Sequence, residues 1–329
     1  MPILSALPSL AQRPAFALIA QAASILGTGA GHKPRGTTAV TSVTAVQAVL
    51  AAAFLVLCPL VQAQTASQEP AYGLSGRIGM VVATVPTYEG SPNRRTLAGP
   101  DLTLSYRSRD WGTVEFGQRG LIWNAVEAGP FRLALVAQFD PGRKDKDTAT
   151  LDPTPGDKRL AGMGRVQSST EAGVGIGYGP LMVVARQSLS ERGPKGAQVD
   201  MSAEVPWSLS DRLNLRFALG ATWANRDYMQ TYFGVTPAQA QATSFSVYTP
   251  KSGCRKVEAS VGAEYAMAAS WKLQANLGFT RLGDDAAASP LVGRFSYFDH
   301  GVPMTFRCSR RLRVALAILA WATPVAAQP

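Results

Sequence analysis

The chain has 329 residues, 46% of them hydrophobic and only 16% charged, with a formal charge of +10. That charged share is low against the quarter usual in soluble domains, yet no apolar run reaches the 18 or so residues of a membrane helix, so a helical membrane bundle is excluded. The basic excess sits in the two ends. Residues 1–63 carry Arg13, Lys33 and Arg35 and no acid, residues 304–329 carry four arginines and no acid, and the stretch between them is nearly balanced, which removes the main support for nucleic-acid binding.

Taken in chain order, the first element is an export signal. Residues 47–63 form an apolar segment that ends Val61-Gln62-Ala63 and is followed by a polar stretch from Gln64, with Lys33 and Arg35 upstream. This is the layout of a secretory leader cleaved between Ala63 and Gln64, over residues 1–63. The first thirty residues are long for such a leader, so a start further downstream is an alternative.

From Ala71 to about Phe298 the sequence reads in twos. Leu213, Leu215, Phe217, Leu219, Ala221 and Trp223 share one parity, and Asn214, Arg216, Ala218, Gly220 and Thr222 share the other. Side chains two apart on a strand face the same way, so each such segment has one oily face and one polar or small face. The pattern recurs at Leu102–Tyr106, Phe131–Phe139, Val199–Trp207, Val257–Met267 and Trp271–Phe279. These segments match the nine to eleven tilted residues that cross a bilayer better than the five or six usual in a soluble sandwich.

Aromatics at segment ends (Trp207, Trp223, Tyr228, Tyr232, Trp271, Phe279) suit interfacial girdles. Tight turns at Gly179-Pro180, Ser210-Asp211 and Ala268-Ala269 alternate with long polar loops at 140–168 and 226–254. An open sheet edge in hydrocarbon leaves amides unpaired, so the sheet must close. The expectation is an all-β, antiparallel transmembrane β-barrel of about 10–12 strands over 64–303; a soluble sandwich or lipocalin-like barrel is the alternative that alternation alone allows. Residues 304–329 form an atypical tail, basic and then apolar, that reads either as an amphipathic helix or as the result of a frameshift.

Catalytic chemistry finds little support. The two histidines, His32 and His300, fall outside the regular segments of this reading, so no His-based triad is expected in the wall. Asp284-Asp285 reads as a polar loop tip, and the Gly173–Gly179 run as small lumen-facing residues of a strand rather than a nucleotide loop. Arg143–Asp147 with Lys158 and Arg159 reads as a solvated charged loop, with lipopolysaccharide phosphates as a possible contact. No enzyme activity, cofactor or metal is expected, and Cys254 is the lone cysteine of the central part.

Three stretches resemble the MipA/OmpV family of outer-membrane proteins, the MltA-interacting scaffold group. The first is Pro86-Thr87-Tyr88-Glu89-Gly90-Ser91. The second is Tyr232-Phe233-Gly234-Val235-Thr236-Pro237-Ala238-Gln239-Ala240. The third is Leu282-Gly283-Asp284-Asp285-Ala286-Ala287-Ala288-Ser289-Pro290-Leu291-Val292. The resemblance covers about 72–293. It implies an outer-membrane barrel, inserted by the barrel-assembly machinery among outer-membrane lipid and lipopolysaccharide. It also implies a scaffold linking a lytic transglycosylase to a peptidoglycan synthase, with a porin- or adhesin-like role as the alternative. In a pore, Arg107, Arg216, Glu258, Glu264 and Lys272 would line the lumen and set selectivity. The family pattern ends in a terminal strand closed by an aromatic; here it departs after Gly293, leaving only the short Arg294–Phe298 to seal the wall.

Overall fold

The computed structural model describes residues 72–118, 120–146, 156–189, 195–268 and 271–307. The leader, its cleavage site at Ala63 and Gln64, and the tail beyond Arg307 lie outside the described residues.

Alternating residues make alternating faces, and in this chain they make twelve antiparallel strands closed into one barrel. They are β1 (Gly73–Pro86), β2 (Arg94–Arg107), β3 (Thr113–Gly117), β4 (Gly120–Ala128), β5 (Phe131–Asp140), β6 (Ser169–Tyr178), β7 (Leu181–Ser188), β8 (Ala197–Ser208), β9 (Leu213–Ala224), β10 (Gly253–Ala266), β11 (Trp271–Leu282) and β12 (Ser296–Arg307). Each strand pairs with its neighbours in sequence, and β1 meets β12 through eight register partners from Arg77↔Arg307 to Thr84↔His300.

That seam corrects the sequence reading. The last wall segment is not the short Arg294–Phe298, and the barrel does not stop at 303. β12 carries the alternation through Phe298, Val302, Met304 and Phe306 on its outer face, and Met304 and Thr305 pair with Met80 and Gly79. The cluster of arginines from Arg307 onward disguised this strand as the start of a leader-like segment. His300, placed outside the strands by the sequence reading, lies in β12 with an exposed side chain.

The parity of the long strands follows the lipid, except at the Cys254–Lys256 bulge of β10. Ile78, Met80, Val82, Leu135, Val174, Ile176, Val183, Leu277 and Val302 are large, apolar and exposed on the outer surface, as expected where hydrocarbon rather than water is the solvent. Aromatics band the outside near the turn end: Tyr106 stacks on Trp111, which meets Trp123 edge-on, and Trp271 packs on Phe306. Near the loop end Phe279 packs on Phe298. The inner face is small or polar. Gly173, Gly175 and Gly177 of β6 face inward and leave room for Met182, Arg132 and Arg186, whose atoms an added Cβ would strike.

The inward charges expected to tune a pore are paired. Arg107 meets Glu127 at 3.2 Å, Arg216 meets Glu204 at 3.1 Å, Lys256 meets Glu258 at 2.7 Å, and Lys272 meets Glu264. Higher in the lumen Arg186 bridges Glu171 (2.9 Å) and Asp200 (2.8 Å), while Gln198 and Thr222 complete the two carboxylates. Where the lumen is tight, as at Arg186 and Glu171, buried charge is tolerated only when matched in this way, whereas Arg216 and Glu204 are exposed to the lumen.

Candidate functional site: a lid over the barrel mouth

The connections at one end are short: 108–112, 129–130, 179–180, 209–212 and 267–270. At the other end the β3–β4 turn is also short, but the 87–93, 141–168, 225–252 and 283–295 connections are long, and their described residues fold into a lid. The 226–254 segment is not the open polar loop that its composition suggested. It holds helix α1 (Arg226–Phe233) and helix α2 (Pro237–Ala242).

Local rules explain both helices. Asn225 caps α1 by accepting the Tyr228 N–H (3.1 Å), and Tyr228, Met229, Tyr232 and Phe233 fall on one helical face. Thr236 and Gln239 form a reciprocal capping box on α2, with Pro237 in the first turn. Tyr228 and Tyr232 are therefore lid residues, not members of the outer aromatic girdle.

α1 reaches across the mouth. Tyr228 takes a hydrogen bond from the buried Arg255 guanidinium (2.8 Å), which also pairs with Glu89 (3.3 Å). A bulge between Cys254 and Lys256 turns Arg255 inward in addition to Lys256. At the other end of the helix the Tyr232 hydroxyl donates to Asp140 at the top of β5 (2.7 Å), and Arg143 donates to the Tyr232 carbonyl (2.5 Å). Arg143 is thus buried at the C-terminal end of α1, where a cation complements the exposed carbonyls, and is not part of a solvated loop. Burial pushes the phenols of Tyr88, Tyr228 and Tyr232 above their ordinary value and holds the Arg143 guanidinium below its own.

The three family-like stretches, far apart in sequence, converge here. Tyr88 donates from its hydroxyl to the Leu291 carbonyl (2.8 Å), and the Ser289 hydroxyl donates to the Phe233 carbonyl (2.6 Å). The carbonyl of Gly90 accepts the N–H groups of Gly293 and Arg294. Gly90 has φ +87°, and a Cβ there would lie 2.7 Å from Val292, so only glycine fits the turn. Val235 pairs with Tyr248, and Gln239 reaches the Met163 carbonyl (2.8 Å). Gly234 ends α1, its N–H bonded to the Gln230 carbonyl. Gly283 precedes the short helix α3 (Asp284–Ala287), so Asp284-Asp285 is not a loose tip; Asp285 accepts the Lys251 N–H (2.6 Å). Pro86 ends β1, while Pro237 and Ala240 belong to α2, and Pro290 separates Ser289 from Leu291.

Two buried apolar clusters consolidate the lid. Phe233, Met229, Tyr228, Leu282 and Ala286 form one; Val235, Tyr88, Leu160, Met163 and Leu291 form the other. A cavity of about 160 Å³ remains beneath, lined by Tyr88, Glu89, Asp140, Arg143, Tyr232 and Phe233 among others.

Asp157, which the sequence reading did not single out, ties the 141–168 connection into the same lid. It sits in the 156–168 part of that connection, just before the 3-10 turn Lys158–Leu160, and it accepts from Thr87, Ser91 (2.9 Å), Asn93 (3.1 Å) and the Arg159 N–H (2.9 Å). Burial alone would raise its carboxyl, but these hydrogen bonds outweigh burial and hold it below the usual carboxylate range. A depressed folded value stabilises the anchor above the unfolded value, near 3.9, and that stabilisation is lost as pH falls through the folded value. Pepsin cleavage within 141–168, normalised at each pH to the same protease's rate on an unstructured peptide, is therefore expected to rise steeply below about pH 4, and Asp157→Asn should show a high normalised rate that varies little with pH. Parallel pH profiles for the two proteins would rule the anchor out.

A family model described as MltA-interacting protein MipA matches residues 78–307. The chain belongs to the MipA family. The match runs through β12, so this MipA-family barrel does not leave the family pattern at Gly293. With its lipid-facing outer surface, it is an antiparallel outer-membrane β-barrel. Among solved structures it is similar to an outer membrane channel from Pseudomonas putida F1, with 15% identity, 74% of this chain and 98% of that chain covered, and TM-score 0.40. It is also similar to the translocator domain of the autotransporter NalP from Neisseria meningitidis (12% identity, 83% and 100% covered, TM-score 0.32) and to OmpT of Vibrio cholerae (9%, 71% and 97%, 0.29). No curated protein sequence matches the chain.

Proposed function

We propose that this MipA-family protein is a capped, non-conducting barrel that serves as an envelope scaffold, docking peptidoglycan-remodelling enzymes at its turn end. The observation that carries this reading is the lid: α1 crosses the mouth and is bonded to the top of β5, to Arg255 of β10 and to the β11–β12 connection, while Arg186, Glu171 and Asp200 beneath it are paired with one another. A small-solute porin needs the reverse, an open axis with unpaired charges for ions to meet. The family description names a lytic transglycosylase as an interacting protein, and a peptidoglycan synthase joins it in the scaffold reading.

The test is paired. In planar bilayers the full-length protein is expected to be electrically silent, and immobilised in detergent it is expected to retain a purified lytic transglycosylase. Stable unitary conductance together with failure to retain the enzyme would replace the scaffold with a pore.

A further inference from the structure

The barrel wall is not equally tall all round. β2 has fourteen residues, but its neighbour β3 has five, and the β3–β4 hairpin turns back at residues 118–119. Register pairs between β2 and β3 run only from Arg107↔Thr113 to Leu104↔Phe116. Above them the β2 edge from Arg94 to Leu102 has no strand partner on that side among the described residues. On the far side of the gap, β4 pairs with β5 only as far as Leu121↔Ala137.

The gap lies at hydrocarbon depth. Tyr106, Trp111 and Trp123 mark the turn-end interface at the foot of the hairpin. Five rows of strand at about 3.4 Å each, tilted by about 40°, climb only about half of a lipid band some 25 Å tall. Among the described residues, the upper half of the band therefore meets an edge with no strand against it. Bare amides cost several kcal/mol each in lipid, so polar atoms or water must reach this edge from inside. Pro100, which lacks an N–H, removes one donor from it.

The interior behind the middle of the gap carries an apolar patch, set between Arg95 above and Asp101, which accepts from Gln118 (3.4 Å), below. By strand parity Val81, Ala83 and Leu97 face inward there, opposite Ile122 and Val136, and Gly99 faces open space with no atom within 4 Å of a Cβ placed on it. Ion pairs line the lumen below the gap, at Arg107–Glu127, and away from it on β6 to β11. Arg94, whose guanidinium donates to the Thr84 carbonyl (2.9 Å), heads this edge at headgroup height, where a lipid phosphate would sit.

We propose that the low wall above the β3–β4 hairpin is a lateral portal, through which an acyl chain of a phosphate-bearing outer-leaflet lipid enters the barrel beneath the lid. This inference does not depend on the scaffold reading: an axially silent barrel and a conducting one could each carry it.

The experiment places a bimane label at Leu97→Cys, in the full chain with the native cysteines replaced by serine. The barrel is reconstituted in phosphatidylglycerol–phosphatidylcholine vesicles whose acyl chains carry bromine at mid-chain. Val183→Cys on the outer face and Asn276→Cys on the charged inner arc are the references. Although Leu97 faces inward, its label is expected to be quenched nearly as strongly as that at 183 and several-fold more than that at 276. Quenching at 97 no greater than at 276 would overturn the portal and mean that the gap is sealed. Gly99→Cys, which replaces no side chain, repeats the measurement should Leu97→Cys fail to fold.

Discussion

Arg255→Met is expected to release the lid while leaving the barrel intact. The substitution removes the one cation that faces Glu89 at 3.3 Å and the donor to the Tyr228 hydroxyl, and it strands a carboxylate that is only 20% exposed. Breaking a buried pair from one side costs about 3–5 kcal/mol, because the surviving charge keeps its desolvation penalty without its partner. The loss falls on α1, whose first turn Tyr228 anchors. Amide hydrogen exchange over 226–242 should accelerate by two orders of magnitude or more, about tenfold per 1.4 kcal/mol, while exchange in β5, β6 and β11 stays slow. The double variant Glu89→Gln/Arg255→Met should recover much of the protection, since no orphan charge remains. Equal exchange in the single and double variants would show that the pair does not hold the lid.

Phe233→Ala is the second large effect, and it has a different physical origin. Phe233 is 1% exposed and is the largest fully buried side chain among the described residues. Truncating such a side chain costs about 3–5 kcal/mol in lost transfer energy and in the cavity left behind. Its carbonyl is also the acceptor for Ser289, so a shift of the backbone here loosens the β11–β12 connection as well. Trypsin should then cut at Arg226 and Lys251, sites that flank the two helices. The heat-resistant mobility of the folded barrel in gels should stay unchanged. Resistance equal to the parent protein would mean that the apolar cluster is not what keeps the lid in place.

Much of the wall was legible because two solvents write it. Lipid outside and a polar lumen inside select opposite residue types at every second position, and Leu213–Trp223 or Trp271–Phe279 carry that record without interruption. The record is weaker where the strand is interrupted or its context misleads. β3 is too short to establish a period. At Arg255 a bulge puts two consecutive residues inward and breaks the parity. In β12, basic neighbours resemble a leader's start.

The lid was legible in part. Its motif residues were recognised as a set, but their meeting point was not, since sequence gives no distance between Tyr88, Phe233 and Ser289. The helix signals were present all the same: Tyr228, Met229, Tyr232 and Phe233 at helical spacing after Asn225, and Thr236 with Gln239 around Pro237. The polar composition of 226–254 obscured them. Asp157 carried no local signal, because its four donors come from Thr87, Ser91, Asn93 and a backbone N–H, mostly from a distant loop.

The bond from Tyr88 to Leu291 spans 203 positions of chain, and it joins the loop after the first strand to the loop before the last. The seam between β1 and β12 holds the two loops side by side, so this part of the surface is complete only when the cylinder beneath it is closed. An immature sheet, still open along its seam, would show the cell exterior a ragged set of loops that any protease can reach. Resistance at the surface therefore works as a timestamp, reporting from outside that assembly in the bilayer has finished.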